Sequence, residues 1–355
     1  MRSIRWAGGI AAVVVLGGLL APGTAQAAAA PGGAAPGAAA PGGAAPGGAS
    51  GAAVHRSAAP EQDVLGHWTP ERMRAAKPAD GPAKSRSAGP QTHALPAQSA
   101  PGAAGPAAGK PGAAAAGLAA VSQSQVWSAH GQMPATTVGK LYYDKPDGPY
   151  ECTASVVSSA NHSLVWTAGH CVSDGDGHWF DNWIFVPDYA GSGEPLGRWS
   201  WKSVSAPNGY LNDGDHDYDL AAISLWPRNG TNVADVTGSQ GYKFGQGYDW
   251  NVYEFGYPYD THPARTGITG QQLRYCTGTT WRPGVWPFQP DQQGIHCDQG
   301  HGASGGPWLD DLQLGRGWGY LVGNVSYHPD DNSDEERSPH FGDAAINVYN
   351  NQQNA

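Results

Sequence analysis

From Val121 onward the apolar residues fall in short runs separated by Gly, Pro, Asn and Asp. The clearest runs are 137–143, 154–158, 163–167, 183–186, 220–225, 251–255 and 319–327. Runs of this length, rich in Val, Ile, Trp, Tyr and Phe and with few long helical periods, predict the strands of an all-β sandwich or barrel. Only 343–351 reads as a helix, and a short one. The 14 Trp and 15 Tyr suit the core of such a fold, which accounts for them more simply than a carbohydrate-binding surface does.

Upstream of 121 the pattern is different. Arg2 and Arg5 precede an uncharged, mostly apolar run over 7–20, and small residues then lead to Ala25-Gln26-Ala27. This predicts a secretory signal peptide over 1–27. Pro22 and Gly23 end the run short of the roughly 20 residues that a membrane anchor needs. Residues 28–120 are dominated by Ala, Gly and Pro, as in Pro31-Gly32-Gly33-Ala34-Ala35-Pro36. That composition removes backbone donors and offers little to bury, so it predicts a disordered pro-segment or linker. The units lack a Gly-X-Y period, which excludes collagen. One island stands apart: Thr69 suits an N-cap, Pro70 the first helical position and Glu71 the positive helix end. It predicts one or two helical turns over 70–76, able to dock on the following domain. Residues 121–355 suffice for one sizeable domain or two small fused ones.

Charge divides along the same boundary. Residues 121–355 carry 11 Lys and Arg against 26 Asp and Glu, whereas residues 1–120 carry 9 against 4. So acidic a domain is a poor partner for nucleic acid or anionic membranes, and no later stretch is apolar enough to span a bilayer. The four cysteines, Cys152, Cys171, Cys276 and Cys297, all lie in the acidic part. An even count in an exported chain implies disulfides, with three pairings open. The absence of C-x-x-C, H-E-x-x-H and regular His spacing speaks against a metal site, and no cofactor is expected. The clusters 213–217 and 330–336 offer oxygen ligands for calcium but fit no loop with defined ligand positions, so they read as solvated turns.

Three local patterns carry chemistry. Val165-Trp166-Thr167-Ala168-Gly169-His170-Cys171 is an apolar strand ending in His beside Cys. In Asp217-Tyr218-Asp219-Leu220-Ala221-Ala222-Ile223 the second acid opens an apolar strand. Gly302-Ala303-Ser304-Gly305-Gly306-Pro307 sets a serine among glycines. A serine hydroxyl needs a base to take its proton, and neutral imidazole does this near pH 7. A buried carboxylate fixes the imidazole tautomer, and glycines let backbone N–H groups approach a developing oxyanion. Asp219 is preferred over Asp215 and Asp217 because it directly precedes the apolar strand.

In this order the motifs resemble those of trypsin-like, chymotrypsin-fold serine proteases, above all secreted bacterial members, and the resemblance covers about 136–355. It implies two antiparallel β-barrels, about 121–235 and about 236–355, with the catalytic cleft between them. His170, Asp219 and Ser304 would form the triad, and the amides of Gly302 and Ser304 the oxyanion hole. Cys152 and Cys171 would clasp the histidine loop, leaving Cys276 and Cys297. Ser326, Tyr327 and His328 would form the edge strand that pairs with substrate. Asp298 lies six residues before Ser304, at the offset where trypsin keeps its specificity acid. Ala303 replaces the Asp of animal members, so their activation switch is missing. The implied protein is a secreted monomeric endopeptidase acting on polypeptides, with its pro-segment as an intramolecular partner. Two other readings compete. Gly302-Ala303-Ser304-Gly305-Gly306 fits the G-x-S-x-G elbow of an α/β-hydrolase esterase, which requires βαβ patterning that this sequence lacks. A catalytically silent binding module would not need an intact triad.

Overall fold

The structure, a computed structural model, describes residues 48–79, 120–191, 193–285 and 289–355. The expected signal peptide and much of the Ala/Gly/Pro-rich leader lie outside the described residues. Within the leader, however, residues 48–79 are ordered, which corrects the expectation of disorder there. They form β1 (Ala52–Arg56), α1 (Glu61–His67), α2 (Pro70–Arg74) and β2 (Lys77–Pro78). The helix predicted at 70–76 is α2; the Thr69 side chain accepts from the Arg72 amide and Pro70 opens the first turn.

Leader composition averages conceal why this piece folds. β1 needs only its backbone, because it pairs antiparallel with β8 (Trp199–Pro207) from Ala52↔Pro207 to Arg56↔Ser203. The leader's largest buried apolar side chains are Val64, Trp68 and Met73, with Ala76 and Ala79 buried beside them in sequence. Trp68 Nε1 donates to the Asn182 carbonyl at 2.6 Å, and Arg72 and His67 both reach Asp144, each at 2.6 Å.

The first barrel is closed. β4 (Val138–Lys145) pairs with β5 (Gly148–Val157), β5 with β6 (Leu164–Thr167) and β6 with β9 (Ala221–Leu225). From β9 the ladder continues through β8 to β7 (Asp181–Pro187) and returns to β4. Trp166, Trp183, Trp199 and Trp201 on its strands are fully buried, with Trp183 and Trp201 edge to face at 4.7 Å and Trp166 packed on Phe244 and Phe341. These aromatics are core, as the sequence pattern requires.

The second half is less closed. A six-stranded sheet runs β10 (Gly241–Tyr242), β15 (Trp318–Asn324), β14 (Pro307–Gln313), β11 (Asn251–Gly256), β12 (Arg274–Thr279) and β3 (Val121–Val126). β13 (Gln292–His296) and β16 (Glu335–Pro339) form a separate ribbon. β3 falls before the first barrel in sequence, yet it pairs with β12 in the second sheet. Alternating Ser and Gln between Val121 and Val126 make it a half-exposed edge strand with no preference of its own for either half.

Helix α3 (Asp343–Gln352) returns to the first barrel, where Ser203 Oγ donates to Gln352 Oε1 at 2.7 Å. It also holds the leader: Asn347 Nδ2 donates to the Ser50 carbonyl and Asn351 Nδ2 to the Ala52 carbonyl. Disulfides join Cys152 to Cys171 and Cys276 to Cys297, the nearest-neighbour pairing. Loops of this length are worth about 3 kcal/mol each in the chain-entropy model. The strand β14 follows Ser304 where an α/β-hydrolase would need a helix, so that alternative falls.

Candidate active site

β6 delivers the chain to Ala168, and a single 3-10 turn, Gly169–Cys171, swings the His170 ring inward. A second such turn, His216–Tyr218, precedes Asp219 at the mouth of β9. The pair is doubly joined: Asp219 Oδ1 accepts the His170 amide at 2.8 Å, and Oδ2 accepts ring Nδ1 at 2.8 Å. Ser326 Oγ donates to that same Oδ2. Burial alone would push the Asp219 carboxyl up. The nearby His170 charge and the hydrogen bonds from His170 and Ser326 outweigh it, holding Asp219 below the usual carboxylate range. An ionised Asp219 keeps the proton on Nδ1, leaving Nε2 as the basic nitrogen. Nε2 is buried and makes no hydrogen bond. Asp215 and Asp217 do other work: Asp215 caps the 3-10 turn, and Asp217 accepts from the Asp291 amide and Gln292 Nε2.

Ser304 stands at the turn before β14, and its carbonyl accepts the Thr153 amide of β5 at 2.8 Å. Cys171 Sγ lies 3.8 Å from that carbonyl. Strand β5 therefore holds the serine turn directly and the histidine turn through Cys152–Cys171. No hydrogen bond joins His170 Nε2 to Ser304, a contact that commonly tightens only when substrate binds. Gly302 has φ +93°, and a Cβ there would lie 2.8 Å from the Tyr257 carbonyl oxygen. Its own carbonyl accepts Thr153 Oγ1 at 2.9 Å. Among the described residues, neither the Gly302 nor the Ser304 amide has an acceptor.

The residues expected to bind substrate are differently occupied. Asp298 Oδ1 accepts the Ser124 amide at 2.7 Å, so this carboxylate anchors β3. Ser326 joins the Asp219 network. Tyr327 Oη donates to Gln292 Oε1 at 2.8 Å. His328 is wedged between the carbonyls of Glu335 and Gln299 and stacks on His262 at 3.9 Å. Burial is the main cause that pushes its pKa down to about 4. Sequence reasoning missed the Ser326–Asp219 bond, because the two are 107 residues apart with no shared pattern. It also missed a second pair, His301–Asp260, in which Asp260 Oδ1 accepts the His301 amide and Oδ2 meets ring Nδ1, both at 2.8 Å.

The leader reaches this region. β2 lies parallel to β5, with Pro78 opposite Glu151, and the Ala79 amide donates to the Glu151 carbonyl at 3.0 Å. The Pro78 side chain lies 3.5 Å from where a Cβ on Gly302 would stand. Two groups of metal-type ligands come together, Cys152–His170–Cys171 and Glu254–Cys276–Cys297. In each, both sulfurs are tied in a disulfide, which leaves one ordinary donor. No described helix is long and apolar enough to cross a membrane.

No family model matches the sequence. The extracellular metalloprotease of Bacillus subtilis (strain 168) is 32% identical over 109 residues, 31% of this chain and 33% of that protein. The chain thus spans about a third of the length of that relative. Among solved structures, the protease Anisep from Arthrobacter nicotinovorans is 32% identical with a TM-score of 0.57, over 65% of this chain and 100% of that one. The thermostable serine protease AL20 from an extremophilic microorganism is 32% identical with a TM-score of 0.55, over 61% of this chain and 96% of that one.

Proposed function

The chain belongs to the trypsin-like, chymotrypsin-fold serine proteases, among their secreted bacterial members, and on that premise we propose that it cleaves internal peptide bonds of polypeptides through an acyl-enzyme on Ser304. The observation that carries this reading is the buried His170–Asp219 pair, held at both the amide and the ring beside a glycine-flanked serine. Ser304 Oγ attacks the scissile carbonyl while His170 Nε2 takes its proton. His170 then gives that proton to the leaving amine, and the acyl-enzyme forms. Water repeats the sequence with His170 as base. Asp219 stays ionised and stabilises the imidazolium. The amides of Gly302 and Ser304 receive the oxyanion in both halves. All these groups come from one chain, so a monomer suffices.

The ordered leader acts in this reading as a pro-segment that covers the β5 edge beside Gly302 until cleavage within about 110–130 frees it. The test is intact-mass labelling with a fluorophosphonate, on the secreted protein and its Ser304→Ala variant. One adduct on the parent and none on the variant is expected. No adduct on the oxidised, leader-free parent would make the silent binding module the better reading.

A further inference from the structure

Ala303 offers only a methyl group to hold the turn in front of the nucleophile, so something else must set the direction of the Gly302 amide. We propose that Asp260 is a positioning residue for the oxyanion hole, clamping the turn 300–302 so that the Gly302 N–H faces the cleft. This rests on the reading of Gly302 as an oxyanion donor.

The geometry follows from peptide planarity. The N–H of Gly302 shares one rigid plane with the carbonyl of His301 and points the opposite way, so fixing that carbonyl fixes the donor. The His301 carbonyl accepts the Tyr259 amide at 2.7 Å. The preceding peptide plane, which carries the His301 amide, is held by Asp260 Oδ1 at 2.8 Å. One residue earlier, the Gly300 amide donates to the Asp260 carbonyl at 3.0 Å. The dipeptide Tyr259-Asp260 therefore pins three successive points of the turn. Asp260 Oδ2 adds a fourth by holding the His301 ring at 2.8 Å.

Residue choice in the turn agrees. A Cβ at position 300 would stand 1.9 Å from Asp260 Oδ1, so Gly300 is what lets the carboxylate close. The carboxylate is also kept charged. Burial pushes it up, but the hydrogen bonds and charge of His301, with Arg265 beyond at 3.6 Å, hold it below the usual range. A charged acceptor makes the stronger and shorter bond to a backbone N–H.

Without the Asp260 carboxylate, the turn keeps only the backbone bonds of Tyr259 and Asp260, at the His301 carbonyl and the Gly300 amide, and the donor is less firmly aimed. Removing an oxyanion donor outright costs about 100- to 1,000-fold in kcat, so mis-aiming one is expected to cost about 10- to 100-fold. The test compares the parent with Asp260→Ala and with the isosteric Asp260→Asn, all in the secreted protein. For Asp260→Ala, kcat on a peptide substrate should fall about 10-fold or more while KM stays within about threefold. The Ki of a peptide aldehyde, whose tetrahedral adduct carries the same oxygen, should rise by the factor lost from kcat. Asp260→Asn keeps one acceptor oxygen and should recover part of the loss. Amide exchange across 300–304 should quicken about tenfold in Asp260→Ala, with the first barrel unchanged. A folded Asp260→Ala with parental kcat and aldehyde affinity would overturn the proposal. Unchanged exchange across 300–304 would overturn it too, whether or not Ser304 turns substrate over. Exchange that quickens as expected in Asp260→Ala, in a protein whose parent has no activity, would instead sink the protease reading alone.

Discussion

The molecule contains two histidine–aspartate pairs drawn to the same pattern. In each, one carboxylate oxygen takes the histidine's own amide and the other takes ring Nδ1, with all four distances at 2.8 Å. Their surroundings differ. The side chains of His170 and Asp219 are 3% and 0% exposed, and Ser326 shares the carboxylate. Those of His301 and Asp260 are 31% and 21% exposed, with an arginine nearby. Hydrogen-bond geometry thus says how a ring is held, and the dielectric around it says what holding it is worth. In the buried pair, on the proposed mechanism, an ionised acid next to a ring that becomes imidazolium bears directly on the barrier. At the half-exposed site water screens the same charge, and what remains of value is the backbone bond.

The largest effect that would test this contrast comes from Asp219→Asn. It keeps the shape but removes the charge and favours the wrong tautomer, so kcat should fall about 10,000-fold in steady-state assays. A fall comparable to that of Asp260→Asn would mean that burial does not separate the pairs. Acid stability comes next. Both carboxyls titrate lower in the folded chain than in the unfolded one. Each therefore adds stability that is full above the unfolded value near pH 4 and drains away as pH falls through the folded value. Thermal melts below pH 4 should fall less steeply for Asp260→Asn than for the parent, and less steeply still for Asp219→Asn. The smallest effect belongs to Arg265→Ala, expected to change kcat less than about twofold because an exposed ion pair contributes little. A larger loss would make Arg265 part of the clamp.

These two pairs also mark how far the sequence could be read. His170, Asp219 and Ser304 each carry a local signature: a strand end beside Cys, an acid opening an apolar run, a serine among glycines. The apolar runs around them locate most first-barrel strands, because burial on both faces leaves a continuous apolar stretch. Asp260 has no such signature. It lies in a loop 41 residues before His301, and its role depends on backbone amides that every residue possesses. β3 and β1 escaped for a related reason. Edge strands are recruited by the open backbone of a partner, so Ser122 and Gln123, or Ala52 and Ala53, carry little pattern of their own. Trp68 and Met73, which pack the leader, stand as isolated apolar residues in an Ala/Gly/Pro background, and only the capping pattern of Thr69, Pro70 and Glu71 marked that island.

The contacts of helix α3 with the leader have a consequence in time. Residues 50 and 52 leave the ribosome long before residues 347 and 351, which hold their carbonyls. β1 must also wait for residues 203–207 of β8 before it has a partner. The first part of this unit to be made is thus among the last that can be fastened, and the final fastening requires the far end of the chain. A chain interrupted before 347 would keep the β1–β8 ladder and the Asp144 contacts but lack these last two bonds, so its leader would be held by fewer fastenings.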